Sequence, residues 1–164
     1  MNQPNRTVLT NVLALVGFLT ACFGVAAIGG FATASSVTGW YQELNKPTWN
    51  PPNWIFGPVW TVLYALMAIS AWRVWKSGSF AETRFALSVF SVHLIVNMLW
   101  SIMFFGWKQV GWAAIEIWVL WGMIGWLTVL FYRKDRLAAL MMLPYLIWVS
   151  FAAFLNLTIW NLNR

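Results

Sequence analysis

From Val8 to Phe31 the chain runs twenty-four residues without a charged side chain, and four further apolar stretches follow at short intervals. Their bounds read Trp54–Trp75, Arg84–Phe105, Trp112–Tyr132 and Leu137–Trp160. Each reaches the roughly 20 residues that a helix needs to cross a hydrocarbon core. Apolar residues in them are continuous rather than alternating at period two, so they read as helices and not as barrel strands, and a bilayer interior admits no third solution. Composition agrees. The chain is 61% hydrophobic and 9% charged, against about 25% charged in an ordinary soluble domain. A soluble chain of this size could not hide so much apolar surface. The expected fold is an all-α integral membrane protein, a five-transmembrane-helix bundle forming one domain over residues 1–164.

The formal charge of +6 invites a nucleic-acid reading, but the cations sit at the ends of apolar runs, where lipid headgroups are. No nucleic-acid partner is expected; membrane lipid is. Arg6, Arg73, Lys76, Arg84, Arg133, Lys134 and Arg136 fall on one side, and Lys46, Lys108 and Arg164 on the other. In a bacterial cell membrane this asymmetry predicts a cytoplasmic N-terminus. The single cysteine, Cys22, excludes an intrachain disulfide framework or cysteine zinc cluster. "LTAC" before it has the look of a lipoprotein cleavage box, yet the apolar run continues through "FGVAAIGGF", long enough to span. Ala14, Gly17, Ala21 and Gly24 form a stripe of the kind packed membrane helices use.

One connection is long, from Ala32 to Asn53, and it ends in "NKPTWNPPN", which runs directly into Trp54 and is dense in proline. Prolines stiffen the backbone, so Trp49 and Trp54 are expected to lid whatever lies beneath. Helical rise places Glu116, Asn156, Trp60 and Asn97 roughly 6–12 Å below the outer helix ends. Four helices thus bring polar groups and indoles to one level under the loop, which suggests a pocket. Trp60 and Tyr64 share a face, as do Asn97, Ser101, Trp100 and Phe104. Plainer readings stand beside this one. Tryptophans anchor at membrane interfaces, as expected for Trp40, Trp107 and Trp112. Asn97 and Asn156 equally suit interhelical hydrogen bonds, and Glu116 equally suits a counter-charge to Lys46 or Lys108. His93 invites haem ligation, with a structural role the stronger reading. No phosphate loop, Ser/His/Asp set or metal-ligand cluster is present. One membrane carboxylate does not make a paired acid–base hydrolase. "LFYRK" matches a weak sterol pattern.

With those residues in view, the chain resembles the translocator protein family, also known as tryptophan-rich sensory proteins or peripheral-type benzodiazepine receptors. The likeness rests on "WYQELNKPTWNPPNWIFGPVWTVLYALM" (Trp40–Met67), "LIVNMLWSIMFFG" with Asn97, Trp100 and Ser101, and "LPYLIWVSFAAFLNLTIWNLN" with Pro144, Tyr145, Trp148, Phe151, Ala152, Leu155, Asn156 and Trp160. It implies a five-helix bundle, commonly a homodimer, that binds porphyrins such as protoporphyrin IX and haem and other hydrophobic aromatic molecules. The porphyrin would be a ligand and no cofactor or metal is expected. By motif position the resemblance carries ligand contact to Tyr41, Pro51, Trp60, Asn97, Trp100, Phe104, Glu116, Trp148 and Ala152, beside Trp49 and Tyr64 from the residues themselves. It also implies a role in tetrapyrrole or stress regulation. Alternatives are a light-dependent porphyrin-degrading enzyme acting through Trp60 and Trp148, and a tetrapyrrole or sterol transporter. Three departures qualify the likeness. The last span reads "LTIWNLNR", with Trp160 where the family's sterol motif has tyrosine; Glu116 stands where some relatives carry Asp; and Phe104 replaces a polar side chain of some relatives.

Overall fold

A computed structural model describes residues 7–164 of the chain, which leaves Arg6 outside the described residues. Five long helices, α1 (Val8–Val37), α3 (Asn53–Lys76), α4 (Phe80–Ser101), α5 (Val110–Tyr132) and α6 (Arg136–Leu162), are joined by short connections, with a one-turn helix α2 (Trp40–Glu43) between α1 and α3. All five are long and apolar enough to cross a membrane, α4 together with the turn that follows it. They close into a ring in the order α1, α3, α6, α5, α4, and α3 also touches α4 across the centre.

Local chemistry sets the helix ends. Thr7 accepts the amide of Thr10 at 3.2 Å to cap α1, and the Ser79 amide donates to Glu82 Oε2 at 2.7 Å in a capping box that opens α4. Asp135 caps α6 through Ala138 N at 2.9 Å and also accepts Arg73 Nη2 at 2.7 Å, tying α3 to the α5–α6 turn. Partial burial works against ionisation of Asp135, but the amide of Ala138 and the Arg73 guanidinium outweigh it and hold the carboxyl below its ordinary range. Small residues let the helices approach: Ala68 and Ala71 on α3 and Ala138, Ala139 and Ala153 on α6 are buried. Ser70 Oγ donates to the Ala138 carbonyl at 2.7 Å where α3 meets α6.

The structure amends the expected boundaries. The connection expected from Ala32 to Asn53 is shorter, because α1 continues to Val37 and α2 occupies part of the remainder. No proline or exposed apolar demand breaks "FATASSV", and its hydroxyls find carbonyls. Thr33 Oγ1 donates to Gly29 O at 2.8 Å, and Ser36 Oγ to Phe105 O at 2.7 Å. The third span begins at Phe80, four residues ahead of Arg84, because the capping box starts it there. Of the small-residue stripe, Ala14 is half-buried while Gly17, Ala21 and Gly24 are exposed, and a Cβ at Gly17 or Gly24 would meet no atom of the described residues within 4 Å.

Past Ser101 the α4 backbone widens into a π-helical turn, Ile102–Gly106, closed by Trp107 N donating to Ile102 O at 2.8 Å. Such turns re-aim side chains and recur at functional sites. Here the turn delivers Phe104 and Phe105 toward the bundle interior, and Lys108 then reverses the chain with φ 58°, in the left-handed region.

Candidate ligand-binding site

Beneath α2 lies a cavity of about 30 Å³ lined by Tyr41, Phe56, Trp100, Phe104, Phe105, Ala152, Leu155, Asn156 and Ile159. Five elements contribute, so the void exists only because α2, α3, α4, its π turn and α6 converge. Its rings are ordered: Trp100 stacks on Phe104 at 5.5 Å between centroids and 28° between planes, and Phe105 meets Phe104 edge-on at 4.7 Å. The polar feature is Asn156, 1% exposed, whose Oδ1 accepts Trp100 Nε1 at 3.1 Å while its Nδ2 donates to Val110 O at 3.0 Å.

The roof is a pinned segment. Tyr41 is buried and its hydroxyl donates to Asn50 Oδ1 at 2.9 Å. Burial pushes its phenol up to about 12, against a smaller opposing effect of the Asn50 hydrogen bond. Lys46 Nζ donates to the carbonyls of Tyr41, Gln42 and Leu44 at 2.7–3.1 Å, satisfying the orphan acceptors at the end of α2. Asn45 and Asn163 exchange hydrogen bonds, each 2.9 Å, that fasten the segment to the end of α6. Half-buried Pro51 lies in the extended run that follows, its carbonyl accepting Asn50 Nδ2 at 3.0 Å.

A second void is a groove of about 620 Å³ on the outer flank between α3 and α6, lined by Pro58, Val59, Val62, Leu63, Pro144, Ile147, Trp148 and Phe151. Pro58 and Pro144 lie inside helices and remove one backbone donor each. Between groove and cavity stands an aromatic partition: Phe56 meets Trp148 edge-on at 6.0 Å, and Trp148 meets Phe151 at 5.6 Å. Ala152, next in sequence to Phe151, faces the cavity side.

The structure thus gathers Tyr41, Trp100, Phe104 and Ala152 around the cavity, places Trp148 in its partition, and sets Trp49 outside that partition against Phe151 at 5.8 Å. Trp54 is 74% exposed and lids nothing. Trp60 lines neither void; it leans on Tyr64 at 5.6 Å and edge-on to Tyr145 at 6.1 Å, deeper in the bundle. The Tyr64 hydroxyl donates to Asn97 Oδ1, and Asn97 Nδ2 donates to Tyr145 Oη at 2.8 Å, so Tyr64 and Asn97 belong to a buried interhelical network. His93 joins it through Nε2, 2.9 Å from Tyr145 Oη, with its ring fully sealed, and is thereby a structural residue with no access to a haem iron.

Glu116 is not the counter-charge of Lys46 or Lys108. Lys46 is held by carbonyls, Lys108 sits over the Trp40 ring at 5.8 Å, and both Glu116 oxygens are buried with no hydrogen-bond partner among the described residues. Trp40 is more than an interfacial anchor, since it packs edge-on against Phe104 at 6.1 Å; Trp107 and Trp112 are exposed at helix ends. Sequence reasoning did not single out Phe56, Phe105 and Ile159 as lining residues. Phe56 lies one turn before Trp60 and Ile159 lies two turns after Ala152, but Phe105 depends on the π turn, which carries no local signal in "IMFFG".

Five membrane-length helices, with a small aromatic cavity where three of them meet under α2, define a multi-pass helical membrane protein. The TspO/MBR family pattern matches residues 18–161, and the chain belongs to that family. Relatives include a tryptophan-rich protein TspO of Archaeoglobus fulgidus, 39% identical over 158 residues covering 93% of this chain and 99% of that one. A translocator protein of Sus scrofa is 36% identical over 158 residues, covering 93% and 91%. Protein CrtK of Rhodobacter capsulatus is 40% identical over 149 residues, covering 89% and 90%.

Proposed function

We propose that this protein is a membrane receptor or sensor for porphyrins and related flat hydrophobic aromatics, with a role in tetrapyrrole or stress regulation. The carrying observation is the aromatic partition of Phe56, Trp148 and Phe151 between the inner cavity of about 30 Å³ and the flank groove of about 620 Å³. Small-molecule sites hold roughly 300–1,000 Å³, so the cavity alone is too small and the groove alone is open to lipid. Rotation of the partition rings would join the two into a slot bounded by indole and phenyl faces. A porphyrin macrocycle gains about 0.5–1.5 kcal/mol per aromatic pair there beyond burial. Its propionates would lie toward the roof, nearest the membrane surface.

Protoporphyrin IX added to purified protein should quench tryptophan fluorescence and saturate near one per chain. Trp148→Phe, in the partition, should weaken binding, whereas Trp60→Phe, which lines neither void, should leave it intact. Unchanged binding in Trp148→Phe removes that residue from the site, and absence of saturable quenching removes the porphyrin.

We further take the exposed small-residue face of α1, at Gly17, Ala21 and Gly24, as the seat of a second copy in a homodimer. Two helices carrying such stripes approach closely in lipid. Gly17→Leu with Gly24→Leu should yield monomers that still fold; dimers that persist assign the contact elsewhere. The basic end of the bundle, Arg73 to Arg136, is placed at the cytoplasmic face of a cell membrane. A cysteine at Lys108 should then react with impermeant maleimide on intact cells and one at Lys134 should not; the reverse pattern inverts the topology.

A further inference from the structure

The cavity beneath α2 is closed by two boundaries of different construction. Above it, the roof is stiffened from within and tied down. Lys46 Nζ donates to three carbonyls of the segment and the Tyr41 hydroxyl donates to Asn50 Oδ1, so the segment moves as one piece. Asn45 and Asn163 exchange the two bonds that fasten it to α6, and the buried Tyr41 ring is wedged against Phe104 and Phe105 at 6.1 and 5.6 Å. Lifting the roof therefore breaks hydrogen bonds and withdraws a buried ring. Beside the cavity, the partition is held more lightly. Phe56 and Phe151 have no hydrogen-bonding group in their side chains, and Trp148 meets them through ring contacts at 6.0 and 5.6 Å. Such rings move aside by changing rotamer.

The helices that carry the partition are free to part at that level. At their inner ends α3 and α6 are fastened, by Ser70 Oγ on the Ala138 carbonyl at 2.7 Å and by Arg73 Nη2 on Asp135 at 2.7 Å. Nearer the outer end, Pro58 and Pro144 both line the flank groove. Each lacks the amide that would hold its helix to the carbonyl four residues earlier, at Trp54 and Leu140. Helical rise puts the stretch from Pro58 to Leu63 roughly 8–15 Å below the outer end of α3, inside a hydrocarbon core about 30 Å thick. No charged, amide or hydroxyl side chain lines the groove.

We infer that the groove between α3 and α6 is the entrance to the cavity, and that it admits flat aromatic molecules whose rings are already dissolved in the bilayer. An entering molecule lies first against Val62, Ile147 and Trp148. Trp148 and Phe151 then turn aside, and the molecule reaches Ala152, which follows Phe151 in sequence and faces the cavity. The roof stays shut throughout. Solutes confined to water meet only the tied segment above the cavity and do not pass. The entrance rests on the proposed reading of this cavity as a ligand site, but not on the ligand being a porphyrin.

The test labels a thiol on the cavity wall of the full-length chain in phosphatidylcholine nanodiscs, which leave both faces open to reagent. Cys22→Ala removes the one native thiol, and Ala152→Cys supplies the new one. N-phenylmaleimide dissolves in the bilayer, whereas N-(4-sulfophenyl)maleimide carries the same ring and stays in water. With either, sulfur bonds to one alkene carbon and the thiol proton ends on the other. N-phenylmaleimide should react at least about tenfold faster than its sulfonated twin. Val62→Trp with Ile147→Trp, both exposed on the groove rim, should slow it severalfold. Val119→Trp, exposed and equally far into α5, should not. Asn163→Ala, which unfastens the roof, should raise neither rate. Equal rates for the two reagents, an undiminished rate in the filled groove, faster labelling after Asn163→Ala, or no labelling by either reagent each overturns the entrance. All three tryptophan substitutions lie on exposed positions, so the fold is kept and circular dichroism checks it. The expected labelling pattern without porphyrin binding would refute the porphyrin receptor and leave the entrance standing.

Discussion

Replacing Asn156 by Leu tests how much of the cavity wall depends on one amide. Asn156 is 1% exposed and spans three helices: it accepts the Trp100 indole N–H of α4 at 3.1 Å and donates to the Val110 carbonyl at the start of α5 at 3.0 Å. Leucine keeps approximate volume and deletes both bonds. Interhelical hydrogen bonds in membrane proteins average about 0.6 kcal/mol and reach about 1.7, so two of them set an expected loss of about 1–3 kcal/mol, the upper end if the Trp100 N–H finds no new acceptor. The assay is an SDS unfolding titration in mild detergent followed by circular dichroism. Ser150→Ala is the comparison, because Trp121 Nε1 to Ser150 Oγ at 2.8 Å lies on the exposed side of the bundle. Asn156→Leu should cost clearly more than Ser150→Ala. An equal or smaller loss would refute the idea that this amide organises the cavity.

Two other perturbations follow from packing and from charge. A Cβ at Gly111 would sit 2.8 Å from Trp160 Nε1, so Gly111→Ala should destabilise the α5–α6 pair by about 1–3 kcal/mol in the same titration, whereas Gly122→Ala, with nothing within 4 Å, should gain about 0.5–1 kcal/mol from helix propensity. The Tyr41 phenol, ordinarily near 10.0, is pushed up to about 12 by burial, so the folded state holds its proton more tightly than the unfolded one. Its contribution is fully present below pH 10 and should be lost as pH rises toward 12, up to about 3 kcal/mol. Chemical denaturation across that window should show the decline, and Tyr41→Phe should flatten it.

The five spans were legible because continuous apolar runs of helix length leave one physical outcome in lipid. Their interior was less so. The gathering of Tyr41, Trp100, Phe104 and Ala152 followed from motif likeness, whereas of the four residues placed by depth along the helices only Asn156 lines the cavity. By contrast, the separation of Trp60 from Trp148 depends on helix rotation about the long axis, which a pattern apolar on every face does not specify. The π turn at Ile102–Gly106 was invisible for a related reason: it is fixed by where Trp107 N finds an acceptor, not by a breaker residue. α1 outran its expected end since serine and threonine hydroxyls satisfied by nearby carbonyls can extend a helix where their polarity suggests a loop. For Glu116 the sequence allows a ligand contact or a counter-charge equally, and only the clamping of Lys46 by carbonyls removes the Lys46 pairing.

The site beneath α2 is tested most directly by filling it. Ala152 faces the cavity of about 30 Å³, and the three additional carbons of Ala152→Leu more than occupy that space, while Leu140→Trp on the exposed flank of α6, 57% exposed, adds bulk without entering it. Equilibrium titration with protoporphyrin IX should show at least about tenfold weaker binding for Ala152→Leu, about 1.4 kcal/mol, and unaltered binding for Leu140→Trp. Equal affinity in wild type and Ala152→Leu, with both proteins folded, would contradict the assignment of this cavity as the porphyrin site.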